Sequence, residues 1–248
     1  MLKKIAKLLK LLIRLNIVKT IYFNFKMLPS RLAIKLPIYI YGKAKFRELN
    51  GSIQINAPIK RGMIKIGKND YYIRTSVPMT YWVINGKIIF NGSAKFLNGG
   101  YMCVASNGVL TIGDDALIGS NYKIMCFESI SIGRSLRCTY DCQIYDTSYH
   151  YVERGDGSTN KLTVPICIGD YVWIGNSSTI AKGSNIPSQN IIANRSFVNK
   201  DFEDSCREGG YLLAGSPAKV KASGMKRIFD SNREKELDQK YVYSRTHL

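Results

Sequence analysis

The sequence predicts a mainly β chain wound as a three-sided parallel solenoid, and three observations lead there. From residue 168 an aliphatic side chain recurs every six positions, at Ile168, Ile174, Ile180, Ile186, Ile192 and Val198. Small residues keep step with it at Ser178, Ser184, Asn190 and Ser196, with Val172 the larger member of that column. An earlier run repeats the pattern at Ile112, Ile118 and Ile124, then after a two-residue slip at Ile132, Cys138 and Ile144. Neither a helical period of about 3.6 nor a strand period of 2 holds a strict six over so long a stretch. A triangular coil does, because each six-residue unit makes one short strand and one corner, and stacked coils bury a continuous aliphatic ladder. Gly113, Gly119, Gly133, Gly169 and Gly175 each follow an aliphatic directly, which is the pattern expected where corners require a left-handed backbone.

The elements follow in order. Residues 1–35 open with Lys3, Lys7, Lys10 and Arg14 on one helical stripe and Ile5, Leu8, Leu9, Leu12 and Leu15 on the other. Such a basic amphipathic helix suits the headgroup region of an anionic membrane, with residues 1–20 as the contact. It suits equally a place against its own β domain or a neighbouring subunit. The recurring charges leave no apolar run long enough for a secretion signal or a membrane span.

Residues 36–220 form the solenoid, beginning with weaker coils marked by the alternation at Ile38, Tyr39, Ile40 and at Ile64, Lys65, Ile66. Ile132 and Ile168 stand 36 residues apart, the length of two coils at about 18 residues each. Residues 150–165 nevertheless carry few core side chains and include Gly155, Asp156, Gly157, Ser158 and Asn160, the composition of a loop inserted between regular coils. Loops leaving a rigid scaffold are where sites are built. Residues 221–248 turn polar and predict a short helix or tail that caps the open end of the solenoid.

Charge is lopsided. Residues 1–50 hold 12 Lys and Arg against Glu48 alone, and the whole chain has a net charge of +18. That asymmetry points to a polyanion: a membrane leaflet, an acidic glycan or a nucleic acid. No nucleic-acid recognition module accompanies it, and nucleic acid is set aside. Cys103, Cys126, Cys138, Cys142, Cys167 and Cys206 show neither a CxxC pair nor companion histidines. This argues against zinc and for small core residues in a reducing, cytoplasmic compartment.

Three segments carry a specific resemblance: IYDTSYH (144–150), PICIGDYVWIGNSSTIAKGSNI (165–186) and AGSPAKV (214–220). They resemble the D-x-D-x-H, P-I-x-I-G-x-x-V-W-I-G and G-x-P-A-K signatures of the hexapeptide-repeat acyltransferases, and within them the capsular-polysaccharide or sugar O-acetyltransferases. TIYFNFKMLP (20–29) is similar to the lead-in of the capsule-locus members. The resemblance covers residues 36–220. It implies a left-handed parallel β-helix, acetyl-CoA as co-substrate without a metal, and a carbohydrate acceptor. It also implies a homotrimer with active sites between subunits, working in the cytoplasm at or near the inner face of the cell membrane.

Acetyl transfer to a hydroxyl needs a base, and an imidazole with a pKa of about 6.5 is suited to it. The histidines are His150 and His247, and the second sits next to the terminus. His150 is therefore the candidate base, although a plain loop histidine would look the same. Asp146, Ser148 and His150 alternate, so an extended chain would set them on one face. Asp146 could then hold the imidazole tautomer, and Ser148 stands where the family often has a second aspartate. The resemblance assigns Trp173 to the site opposite the histidine, touching acceptor or donor, while by position it lies at a corner outside the isoleucine ladder. A tryptophan face suits a sugar or a pantetheine arm, and a subunit interface is its alternative. The resemblance further implies that Gly175, Asn176, Ser178 and Ala181 bind coenzyme A, with Lys182 and Lys219 near its phosphates. Asn121 is either an acceptor contact or a corner residue with a left-handed backbone.

Other classes fit less well. The γ-class carbonic anhydrases use the same solenoid but need three zinc-binding histidines. N-acetylation of a nucleotide-linked amino sugar would use the same base and donor. A purely structural solenoid would leave Asp146, His150 and Trp173 at motif positions without a use.

Overall fold

The computed structural model describes residues 15–68 and 79–241. The stripe of Lys3, Lys7, Lys10 and Arg14 and the terminal His247 lie outside the described residues.

Among the described residues, three sheets of nine, seven and six strands run the length of the solenoid, and each coil adds one strand to each sheet in turn. The first face includes Ala116–Ile118, Arg137–Cys138, Trp173–Ile174 and Ile191–Ile192. The second includes Tyr101–Val104, Lys123–Cys126, Gln143–Tyr145 and Thr179–Ala181. The third includes Val109–Ile112, Ser129–Ile132, Ile166–Ile168 and Asn185–Ile186. Pairing between coils is parallel, and the register stacks like on like: Ile112, Ile132, Ile168 and Ile186 form one internal column. Trp82, Met102, Ile124, Ile144, Ile180 and Val198 form another. These side chains are all but fully buried, the strongest apolar contribution a narrow solenoid can make.

The register corrects the coil count. Ile132 pairs directly with Ile168, so their separation is one coil plus an insertion rather than two coils. The insertion leaves the phase intact because it enters and leaves at the same corner. The two-residue slip has an equally simple meaning. Ile112 pairs with Ile132 and Ile118 with Cys138, a spacing of 20 residues per coil where the later coils use 18.

The glycines also have a different reason from the one expected. Left-handed corners are filled mostly by other residues, among them Asp115, Asn121, Ser135, Asp141, Ser177 and Arg195, all with φ between 52° and 60°. Gly113, Gly119, Gly133, Gly169 and Gly175 are absent from that conformation and instead lie against the backbone of the next coil. A Cβ on Gly133 would stand 2.5 Å from the Gly169 carbonyl carbon, and one on Gly175 2.5 Å from Asn194 N. Gly133→Ala is expected to lower stability by about 2–3 kcal/mol, since neighbouring main chain has to move apart. A thermal unfolding midpoint unchanged from wild type would contradict that packing argument.

Both ends are closed. The helix Ile17–Met27 seats Thr20, Phe23, Asn24 and Met27 on the first coil. Its buried Asn24 donates to Ile38 O at 2.7 Å and accepts from Ile38 N, while Thr20 Oγ1 accepts from Ile40 N at 3.0 Å. The edge strand Ile38–Ile40 is thereby satisfied and shielded. At the other end Phe202 and Cys206 are buried, and the strand Leu212–Gly215 continues the first face before turning back antiparallel into Ala218–Ala222. The predicted C-terminal helix exists as Ser231–Lys240, but it buries no residue and is not the cap. Its sequence, SNREKELDQK, offers Leu237 as its one apolar side chain and so has no face with which to cover a core.

Candidate active site

The inserted segment leaves the corner between the second and third faces and folds as an antiparallel hairpin. Thr147 bridges Thr163 and Glu153 bridges Thr159. Ser148 N donates to Leu162 O at 2.9 Å, and Val164 N to Asp146 O at 3.0 Å. His150 lies near the root, exposed to solvent. Its main-chain N donates to Ser148 O at 2.7 Å, and among the described residues its imidazole has no hydrogen bond or ion pair.

Asp146 does not hold that imidazole. Its carboxylate is wholly buried and accepts from the main-chain N–H groups of Phe127 at 2.8 Å, Glu128 at 2.8 Å and Ser129 at 2.9 Å. The expected shared face of Asp146, Ser148 and His150 fails for a backbone reason: Tyr149 takes φ +60°, which breaks the extended alternation. Asp146 points inward to tie the hairpin root to the coil beneath, and His150 points outward.

Lys182 is likewise a fastener. Its ammonium donates to Ser148 Oγ at 3.0 Å, to Leu162 O at 3.3 Å and to Lys161 O, which spans both strands of the hairpin. A coenzyme A phosphate at this position would have to compete with those bonds for the ammonium. Lys182→Met is expected to raise amide exchange across residues 148–163 and to lower turnover about tenfold by misplacing His150. Unchanged exchange would remove the lysine from this role.

On the second face an outward column of Cys103, Met125 and Tyr145 leads to the hairpin root. The Tyr149 hydroxyl donates to Met125 Sδ at 2.9 Å, and its ring meets Phe127 edge-on at 5.1 Å. Burial pushes the Tyr145 and Tyr101 phenols up to about 12, so both remain neutral O–H groups near pH 7. Tyr81 and Tyr101 stack at 5.8 Å beside a cleft of about 510 Å3 further along the same face.

Trp173 opens a strand in the middle of the first face and points outward, half-exposed. It is outside the ladder as expected, though not at a corner, because it precedes the inward Ile174 by one residue. The hairpin leaves the one corner that the first face does not touch. Within a single chain, Trp173 and His150 therefore stand on opposite sides of the prism.

No protein-family model matches the chain. It is 28% identical over 109 residues to the Saccharomyces cerevisiae protein named "Putative acetyltransferase YJL218W", a match to 44% of this chain and 53% of that protein. The chain thus spans about half the length of that curated relative. The crystal structure of the polysialic-acid-specific acetyltransferase NeuO superposes with a TM-score of 0.56 at 15% identity, covering 83% of this chain and 94% of the other. The polysialic acid O-acetyltransferase OatWY gives 0.51 at 18% identity, over 82% and 100%. The fold is a left-handed parallel β-helix, the fold of these two acetyltransferases.

On this β-helix the remaining expected residues divide by exposure. Ser178 is buried, donating to Ala193 O at 2.9 Å and accepting from Ser196 N. It joins coils and is not open to a cofactor. Gly175 is buried too, its N–H in the ladder to Ile192 O. Asn176 and Ala181 are partly exposed, and Lys219 is exposed on the terminal strand of Trp173's own sheet. Of the residues assigned to the donor, Trp173, Asn176 and Lys219 are the ones at least partly exposed on or beside the first face. Asn121 turns its corner at φ 57° with its amide on Asp141, which is the corner role.

Sequence reasoning passed over two groups. Tyr81 and Tyr101 were readable from their spacing of one 20-residue coil. The second group left no sequence signal: the tail returns to lay Phe229 against Tyr171 at 5.3 Å and under the guanidinium of Arg137 at 5.5 Å. Arg137 is Trp173's neighbour in the sheet. A cleft of about 370 Å3 opens between Tyr171 and residues 226–230.

Proposed function

We propose that this protein moves an acetyl group from acetyl-CoA to a sugar hydroxyl of a surface polysaccharide, such as a capsule polymer or its precursor, with His150 as general base. The observation that carries the proposal is the unpartnered, exposed imidazole at the root of a braced hairpin on a β-helix. NeuO and OatWY, named for action on polysialic acid, support a polymeric sugar acceptor. The net charge of +18 favours an acidic one.

His150 takes the hydroxyl proton as the acceptor oxygen attacks the thioester carbonyl. The C–S bond then breaks, and the imidazolium returns the proton to the departing thiolate. Each step is direct, with no acyl group resting on the protein.

Three copies would assemble so that Trp173 of one faces the hairpin of the next. The placement of these two residues on opposite sides of one chain supports that arrangement. The reaction belongs in the cytoplasm, where coenzyme A thioesters are available.

Thiol release from acetyl-CoA, followed with and without neutral and acidic capsule glycans, tests the activity. Acceptor-dependent release with the acidic glycans is expected. Absence of both turnover and acetyl-CoA binding under every condition would overturn the reading. Sedimentation tests the assembly: an active monomer would remove the shared site.

A further inference from the structure

The helix Ile17–Met27 has two faces of different purpose. Thr20, Phe23, Asn24 and Met27 are seated on the first coil. Ile17, Val18, Ile21, Tyr22 and Phe25 follow one another along the opposite stripe and are exposed, Val18 by 77% and Phe25 by 51%. Ile34, on the turn that follows, is exposed by 68%. A large contiguous apolar patch on a surface marks an interaction site rather than chance.

We infer that this face docks on the surface of an anionic lipid bilayer. Exposed Lys26, Arg31 and Lys35 lie at the end of the helix and just beyond it, and the first 50 residues carry 12 basic groups against one acid. Apolar side chains accompanied by cations fit the headgroup and acyl boundary of an acidic leaflet, where both terms are favourable. A second copy of the chain fits poorly, because it would bring the same positive field against itself. A soluble polyanion would engage the cations and leave the apolar stripe in water. At 11 residues the helix is about 16 Å long, so it lies in the interface plane rather than crossing. The solenoid axis then stands away from the membrane, with its N-terminal end down. This inference is independent of the acetyl-transfer proposal.

The test is co-sedimentation of the full chain with sucrose-loaded vesicles, either pure phosphatidylcholine or containing phosphatidylglycerol. Val18→Asp/Phe25→Asp changes two exposed side chains of the stripe and should leave the unfolding midpoint in place. Expected are binding to the acidic vesicles alone and a loss of at least about tenfold in the double variant. Failure of the wild type to bind acidic vesicles would overturn the inference, as would full binding by the double variant. A double variant that changes the oligomeric state would also overturn it, because the stripe would then be an interface between copies. Acetyl transfer to a soluble glycan should be unchanged in the double variant, which separates this result from the fate of the enzymatic reading.

Discussion

His150→Ala is expected to lower acceptor-dependent thiol release by at least about a hundredfold, the lower end of what a general base contributes. The unfolding midpoint should not move. The imidazole is exposed and, among the described residues, bonds to nothing, so its removal leaves no buried donor or acceptor unpaired and opens no cavity. Affinity for acetyl-CoA should fall far less than turnover, because a general base acts on the acceptor hydroxyl and does not hold the donor. Turnover near the wild-type level would place the base elsewhere. Loss of turnover together with loss of fold would mean that His150 has a structural partner the geometry does not show.

Asp146→Ala should behave in the opposite way, losing stability first and activity as a consequence. One fully buried carboxylate receives the N–H groups of Phe127, Glu128 and Ser129 at a partly buried corner. Hydrogen bonds to a charged group contribute about 1.5–3 kcal/mol, and stranded buried donors cost a further 1–3 kcal/mol. A loss of about 3 kcal/mol or more is the expected result, a fall of roughly 6–12 °C in Tm for a chain of this size. Asp146→Asn should be little better, since its NH2 group would face N–H donors. Were Asp146 instead the partner of the imidazole, both variants would keep the Tm and lose turnover, as happens when an imidazole loses its orienting carboxylate. The two variants measured together distinguish a fastener from a catalytic partner.

These two residues also mark where local sequence logic ends. Spacing of two placed Asp146 and His150 on one face, and the inference would hold for any regular strand. The chain instead turns through a left-handed Tyr149, held by its hydroxyl on Met125 and its ring on Phe127, both contributed by the preceding coil. The fate of Lys182 and Ser178 has the same origin. Their positions within the repeat were correctly counted, but their bonds are to residues at least 15 positions away in sequence, brought near by the winding.

By itself the sequence determined the solenoid. A six-residue aliphatic period has one economical solution, and it shows in the chain because each inward position is set by its own side chain. It also determined the inserted hairpin's place, His150 as the histidine within it, and the excess of positive charge at the N-terminal end. Only the tertiary structure decided that the insertion lies within a single coil, and that the glycines serve close approach of neighbouring coils rather than left-handed corners. It alone turned Asp146, Ser178 and Lys182 into braces, and set Trp173 across the prism from His150. The physical reason is common to all of these. Burial periodicity is local and additive along the chain, whereas the partner of a polar group depends on which strand the next coil lays beside it.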